Sequence, residues 1–181
     1  KEEVKEYRSA SGSSETKLLA VEMDGQARAY LGFETVEDLQ EEIEPLRNTD
    51  VGKLFLGTGG IGAGQTLFPS RVGEMMGSDQ KDFPVVEGKR AAESLLSYQS
   101  RGIDPLKVSV DYAHSMDIDV YLGFRMGTMS TVPPTWVEPV AFWKDHPEWR
   151  CQDREGNTIV RLSMAYKEVR RFYVNLFNEL A

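Results

Sequence analysis

A chain of 181 residues holds one domain with a real core, or part of a larger one. Its net charge of −8 and the absence of a dense basic run exclude a phosphate-gripping surface, so no nucleic-acid partner is expected. No stretch approaches the ~20 apolar residues of a membrane span, and one cysteine, Cys151, with two histidines excludes an internal disulfide and argues against a zinc site.

Residues 1–16 are polar, with Ser9, Ser11, Ser13 and Ser14 clustered, and read as a flexible lead-in to a single domain over 17–181. The chain opens on Lys1 rather than Met, so its start is trimmed or processed, which is compatible with a removed signal peptide and a secreted or periplasmic location without indicating one. Residues 17–24 (KLLAVEMD) read as a strand that turns at Gly25. The spacing of Val36, Leu39, Ile43 and Leu46 predicts a helix over 35–48, capped by Thr35 with Asp38 three residues on. Pro45 lies inside it and predicts a kink or an early end. Residues 51–56 (VGKLFL) read as a buried strand, followed by a glycine-rich loop through about Gly88. A helix over 90–100 comes next, then one that Asp104 caps and Pro105 opens, running to about Met116. Residues 118–124 (IDVYLGF) form the third strand. A second long loop over about 125–165 holds a short strand near 158–162. The last helix, 166–181, carries Val169, Phe172, Leu176 and Leu180 on one face.

Strand, helix, strand, helix, strand, helix is the pattern of parallel strands with right-handed crossovers. Both long loops follow strands and so belong at the strands' carboxyl ends, where α/β folds carry their sites. The expectation is α/β, the first three βα units of a (β/α)8 (TIM) barrel. It is an incomplete barrel, because a full one needs about 250 residues and this chain stops on an apolar helix with no glycine cap and no following strand. A small open α/β sandwich ending on a helix is the alternative.

Gly57-Thr58-Gly59-Gly60-Ile61-Gly62 fits G-x-G-x-x-G after a strand, a spacing that lets backbone amides meet a pyrophosphate. The residues that follow, Gly64-Gln65-Thr66-Leu67-Phe68-Pro69, do not open a helix, so this loop reads rather as one that brings backbone close to a ligand or neighbour. All three tryptophans, Trp136, Trp143 and Trp149, fall in one segment with Phe142. Indoles are platforms for the C–H faces of sugar rings; equally, they pin long loops to a core. Arg125 follows the third strand and can fork onto a carboxylate or a hydroxyl pair, or pair with a strand-end acid, Glu22 or Asp24. His146 sits in Asp145-His146-Pro147-Glu148-Trp149 as a loop or substrate contact, and no nucleophile-elbow motif accompanies it. Glycoside cleavage needs paired carboxylates. Glu22 and Asp24 are the acids at a predicted strand end, while Glu138, Glu148 and Asp153 are loop acids.

The run Asp104-Pro105-Leu106, Val110-Asp111-Tyr112-Ala113-His114 and Ile118 through Phe124-Arg125-Met126 resembles the N-terminal part of bacterial glycoside-hydrolase-like TIM-barrel proteins. Phe68-Pro69-Ser70-Arg71-Val72-Gly73, Phe142-Trp143-Lys144-Asp145-His146-Pro147-Glu148-Trp149 and Leu162 to Arg170 extend the resemblance over roughly 35–181. It implies that the next strand, past Ala181, bears the main catalytic acid, and that this fragment alone is an inactive part of a carbohydrate-active hydrolase. The family's Arg-Met-Asn-Asp is here Arg125-Met126-Gly127-Thr128, which lacks the acid. In a carbohydrate-active hydrolase barrel Arg125, Thr128, Trp136, Trp143, His146 and Trp149 would be the substrate-binding residues, and no metal or cofactor is expected. A non-catalytic carbohydrate-binding or scaffold barrel is the alternative function, and a nucleotide-binding module using the glycine loop is a third.

Overall fold

The computed structural model describes residues 19–25, 29–32, 34–59, 63–78, 83, 85–126 and 140–181. The expected lead-in over 1–16, and Thr128 and Trp136, lie outside them.

Strand β1 (Leu19–Met23) leads to helix α1 (Val36–Ile43). Thr35 and Asp38 close a reciprocal capping box: the Asp38 amide donates to Thr35 Oγ1 at 3.1 Å and the Thr35 amide donates to Asp38 Oδ2 at 2.9 Å. Pro45 ends the α-helix early, as its missing N–H requires, and the chain tightens into a 3-10 turn over Glu44–Leu46. Strand β2 (Val51–Gly57) pairs with β1 in parallel. A two-residue parallel ribbon follows, β3 (Gln65–Thr66) on β4 (Glu74–Met75). Helix α2 (Val86–Ser100) starts earlier than its pattern predicts, with Gly88 buried inside the helix rather than closing the loop. Helix α3 (Pro105–His114) is capped by Asp104 Oδ1, which accepts from the Leu106 and Lys107 amides. Strand β5 (Asp119–Gly123) then pairs with β2 in parallel. The second long connection contains helix α4 (Ala141–Lys144) and an antiparallel hairpin of β6 (Arg150–Gln152) with β7 (Thr158–Leu162). Helix α5 (Lys167–Leu180) closes the chain.

The main sheet has the order β1-β2-β5, with β2 central and all strands parallel. Alternation sets its two faces. Leu54, Leu56, Val120 and Leu122 point toward α1 and α3, where Ile43, Ala113, Met116 and Ile118 complete one core. A second core joins Leu67, Phe68, Met75 and Met76 of the ribbon region to Ala91, Ala92 and Leu95 of α2, Val160 and Leu162 of β7, and Val169, Phe172, Tyr173 and Leu176 of α5. Leu106 packs against both.

The parallel winding and the α/β class stand, but the three βα units of a barrel do not. The described residues form a mixed α/β domain with sheets of three, two and two strands and five α-helices. The crossover from β2 to β5 holds a ribbon and two helices, and a helix and a hairpin intervene between β5 and α5. The buried face of α5 covers the ribbon and hairpin rather than the parallel sheet. A groove of about 490 Å³, lined by Val110, Val120, Leu122, Phe177 and Leu180, lies where the end of α5 passes β5 and α3. The loops misled because they carry their own large apolar residues, enough to build a separate core and draw the last helix onto it.

Candidate functional site

The carboxyl ends of β1, β2 and β5 meet in a small polar rim. Thr58 ties β2 to β5 twice, its amide at 2.8 Å and its hydroxyl at 2.9 Å both donating to the Gly123 carbonyl. The Arg125 amide donates to the Gly59 carbonyl at 3.1 Å, so the start of the glycine segment and Arg125 share one edge. Gly59 sits at φ 146°, and a Cβ there would run into the Gln65 carbonyl and the Phe124 ring, so glycine is required by space and by backbone alike. Residues 60–62 lie outside the described residues; the chain resumes at Ala63 in a turn and enters β3, and no helix starts there to receive a pyrophosphate.

Across this rim Arg125 Nη2 reaches Asp24 Oδ2 at 2.9 Å. The two residues follow β1 and β5, which are not neighbours, so the pair arches over the end of β2. Gly57 is the residue beneath: a Cβ there would lie 3.5 Å from Asp24 Oδ1. Asp24 and Arg125 are 45% and 44% exposed, accessible to a ligand while already in contact with each other. Tyr30, in a short 3-10 turn over Ala29–Leu31, is the third polar group. Burial, and then the Asp24 carboxylate, push its hydroxyl pKa up, with Arg125 opposing, so it stays a neutral O–H.

Below the rim the uncovered face of the sheet carries Glu22, Lys53, Phe55, Asp119 and Tyr121. Phe55 and Tyr121 are register partners whose rings stack at 5.2 Å and 25°, and they remain 43% and 44% exposed. Lys53 Nζ lies 5.6 Å from the Tyr121 ring centre. Sequence reading did not single out Tyr30, Phe55 or Tyr121. The signal was the alternation in VGKLFLG and DVYLG, which places these aromatics opposite the leucines; an apolar run reads as buried on both faces until the sheet is seen.

The tryptophan segment divides. Trp143 is a core residue, with the Arg150 guanidinium 3.9 Å from its ring centre and the Arg150 Nε donating to the Trp143 carbonyl at 2.9 Å. It pins the loop rather than offering a face. Its indole N–H is buried without a hydrogen-bond partner among the described residues. Trp149 and His146 are half-buried and stack on each other at 3.6 Å and 15°. His146 pairs with Glu148, Nδ1 to Oε1 at 3.1 Å, and not with the adjacent Asp145. The backbone amide of Glu148 and then His146 hold the Glu148 carboxyl below its ordinary range. Phe142 lies against both rings and stacks on Phe172 at 4.3 Å; Phe172 meets Tyr173, which meets Phe124. Tyr173, its hydroxyl pushed up to about 12 by burial, donates to the Met126 carbonyl at 3.2 Å. Arg125 and the His146–Trp149 stack therefore sit at the two ends of one aromatic row. They belong to one framework but are not in direct contact.

A cleft between α1, α3 and the end of β2 has a volume of about 30 Å³, room for roughly one water and not for a sugar ring. Among the described residues no group of three or more His, Cys, Asp or Glu is placed to hold a metal ion, and no helix is long and apolar enough to cross a membrane. No protein-family model matches the chain, and comparison with curated proteins gives no match. Fold and geometry define a mixed α/β domain with a polar rim and an aromatic sheet face, and the functional reading rests on those alone.

Proposed function

We propose that this chain is a carbohydrate-binding α/β domain whose ligand lies at the carboxyl rim of the parallel sheet. The observation that carries the reading is the Asp24–Arg125 pair, arched over Gly57 and exposed at both ends. It sets a guanidinium beside a carboxylate at a solvent-accessible edge, donor next to acceptor, which is the pairing that sugar hydroxyls recognise. The Phe55–Tyr121 pair supplies apolar area for a ring's C–H face, and Trp149 with His146 offers a second contact farther along. Thr128 and Trp136, adjacent in sequence to these parts, remain candidates in the same proposal.

Binding is favoured over cleavage. Hydrolysis needs two carboxyl groups flanking the scissile bond, whereas Asp24 is engaged by Arg125, and Glu22 projects one row lower on the same strand. In isothermal titration against a panel of neutral oligosaccharides, at least one binds with a Kd of about 1 mM or tighter, and Arg125→Ala weakens it by about tenfold or more. Silence of the whole panel at about 10 mM overturns the reading. Turnover of chromogenic glycosides by the wild-type chain, lost in Asp24→Asn, would replace binding with hydrolysis.

A further inference from the structure

We infer that the outer edge of β5 is a docking site for an extended peptide whose residues alternate apolar and basic, added as a fourth strand of the main sheet. Among the described residues β5 pairs with β2 alone, so one side of its backbone is left to find partners elsewhere. The strand carries no device that blocks pairing: DVYLG holds neither proline nor lysine, and its register against β2 runs without a bulge. The groove of about 490 Å³ runs beside it, between β5, α3 and the end of α5. Val110, Val120, Leu122, Phe177 and Leu180 give it an apolar wall, and all five remain partly exposed, Phe177 at 38%.

A pleated partner fits both features at once. Residues paired across two strands point to the same face, so every second side chain of the peptide falls on the Val120–Leu122 side and enters the groove. The residues between fall on the Asp119–Tyr121 side. Charge selects what they are. Asp117 and Asp119 are exposed at the start of β5. Lys53, the register partner of Asp119, has its Nζ 5.6 Å from the Tyr121 ring centre and makes no ion pair with the carboxylate. Lysine or arginine at the outward positions meets this acidic end on a chain of net charge −8. The same net charge sets two copies of the chain against each other, which disfavours self-pairing of the edge. Peptide docking is independent of the carbohydrate reading and shares only Tyr121 with it.

The probe is a blocked peptide of alternating valine and lysine, about seven residues long so that it spans the strand. It is titrated calorimetrically into the wild-type chain, with hydrogen exchange to locate it. The expected Kd is about 100 μM or tighter, with exchange slowed at the amides of residues 119–123. A peptide with the same valines and lysines in two separate blocks keeps composition and charge but not alternation, and should bind about tenfold or more weakly. The alternating valine–glutamate peptide should lose as much. Asp119→Lys, at an exposed position, should weaken the lysine peptide and strengthen the glutamate one, each by several-fold. Absence of binding at about 1 mM, equal affinity for the block or the glutamate peptide, or protection that falls outside β5 overturns the inference. These wild-type measurements decide it even if Asp119→Lys fails to fold.

Discussion

The two cores of this molecule are built on different logic. Around the parallel sheet, regular periodicity does the work: Leu54 and Leu56 alternate along β2, and α1 and α3 lay one face each against them. The second core is assembled from short pieces, a two-residue ribbon, one turn of α4, a hairpin and one face of α5. Those pieces have little stability alone, since short helices and isolated ribbons are marginal in water. They hold because large side chains such as Phe68, Met76, Trp143 and Phe172 interlock. A regular core is thus readable by period, and an irregular one by the bulk of its residues. Among the described residues the first leaves Phe55 and Tyr121 half-exposed on one sheet face, next to the rim of the proposed site.

The comparison breaks if the two cores do not fold together. Phe172→Ala in the second core should cost about 3–5 kcal/mol, and Leu54→Ala in the first about 2–5 kcal/mol. Leu106 packs on both, so both variants should lower the midpoint of one shared denaturation transition. Two separated transitions in urea, each moved by only one of the variants, would show independent halves.

Backbone packing in the irregular half gives the next effect. Gly77 has φ 87°, and a Cβ there would collide with Ala92 of α2. Gly77→Ala should cost about 1–3 kcal/mol, whereas Gly102→Ala, also at positive φ (70°) but with open space, should cost about 1 kcal/mol. Equal losses in thermal denaturation would mean that strain alone, not the approach of α2, sets the requirement.

A polar latch joins α5 to the ribbon. Glu179, 12% exposed, accepts from the Ser70 hydroxyl and, at 2.7 Å, from the Arg71 amide. Burial raises the Glu179 carboxyl pKa, but the Ser70 hydroxyl and the Arg71 amide and side chain together outweigh it, and the net shift is downward. A carboxyl depressed in the folded state contributes stability that is full above the ordinary glutamate value of 4.5 and lost as pH falls through the folded value. Glu179→Gln should cost about 1 kcal/mol at neutral pH, a modest loss because the glutamine amide oxygen can still accept from the Arg71 amide. Its stability, measured by urea titration, should fall less steeply below pH 4.5 than that of the parent. Parallel pH curves would exclude Glu179 as a source of that slope.

The smallest stability effect should come from the uncovered face. Phe55→Ala and Tyr121→Ala remove half-exposed rings and should each change stability by about 1 kcal/mol or less. On the proposed reading each weakens saccharide binding by several-fold, measured by the same titration, while the fold is retained.

By itself the sequence determined the elements with a strong local cause. The Thr35–Asp38 box, the Pro45 stop, the Asp104-Pro105 start and the strand at Thr158–Leu162 all lie where residue chemistry puts them. The parallel order of the three main strands was legible from the alternation of elements. It also offered Glu22 or Asp24 as a strand-end partner for Arg125, and the tertiary structure places Asp24 there. Tertiary structure alone decided which core received α5, that Trp143 is buried while Trp149 stacks on His146, and that Phe55 and Tyr121 face outward as a pair. The reason is common to all three. An apolar side chain declares that it will be covered or stacked, but its partner is chosen by non-local packing, which leaves no periodic trace in the chain.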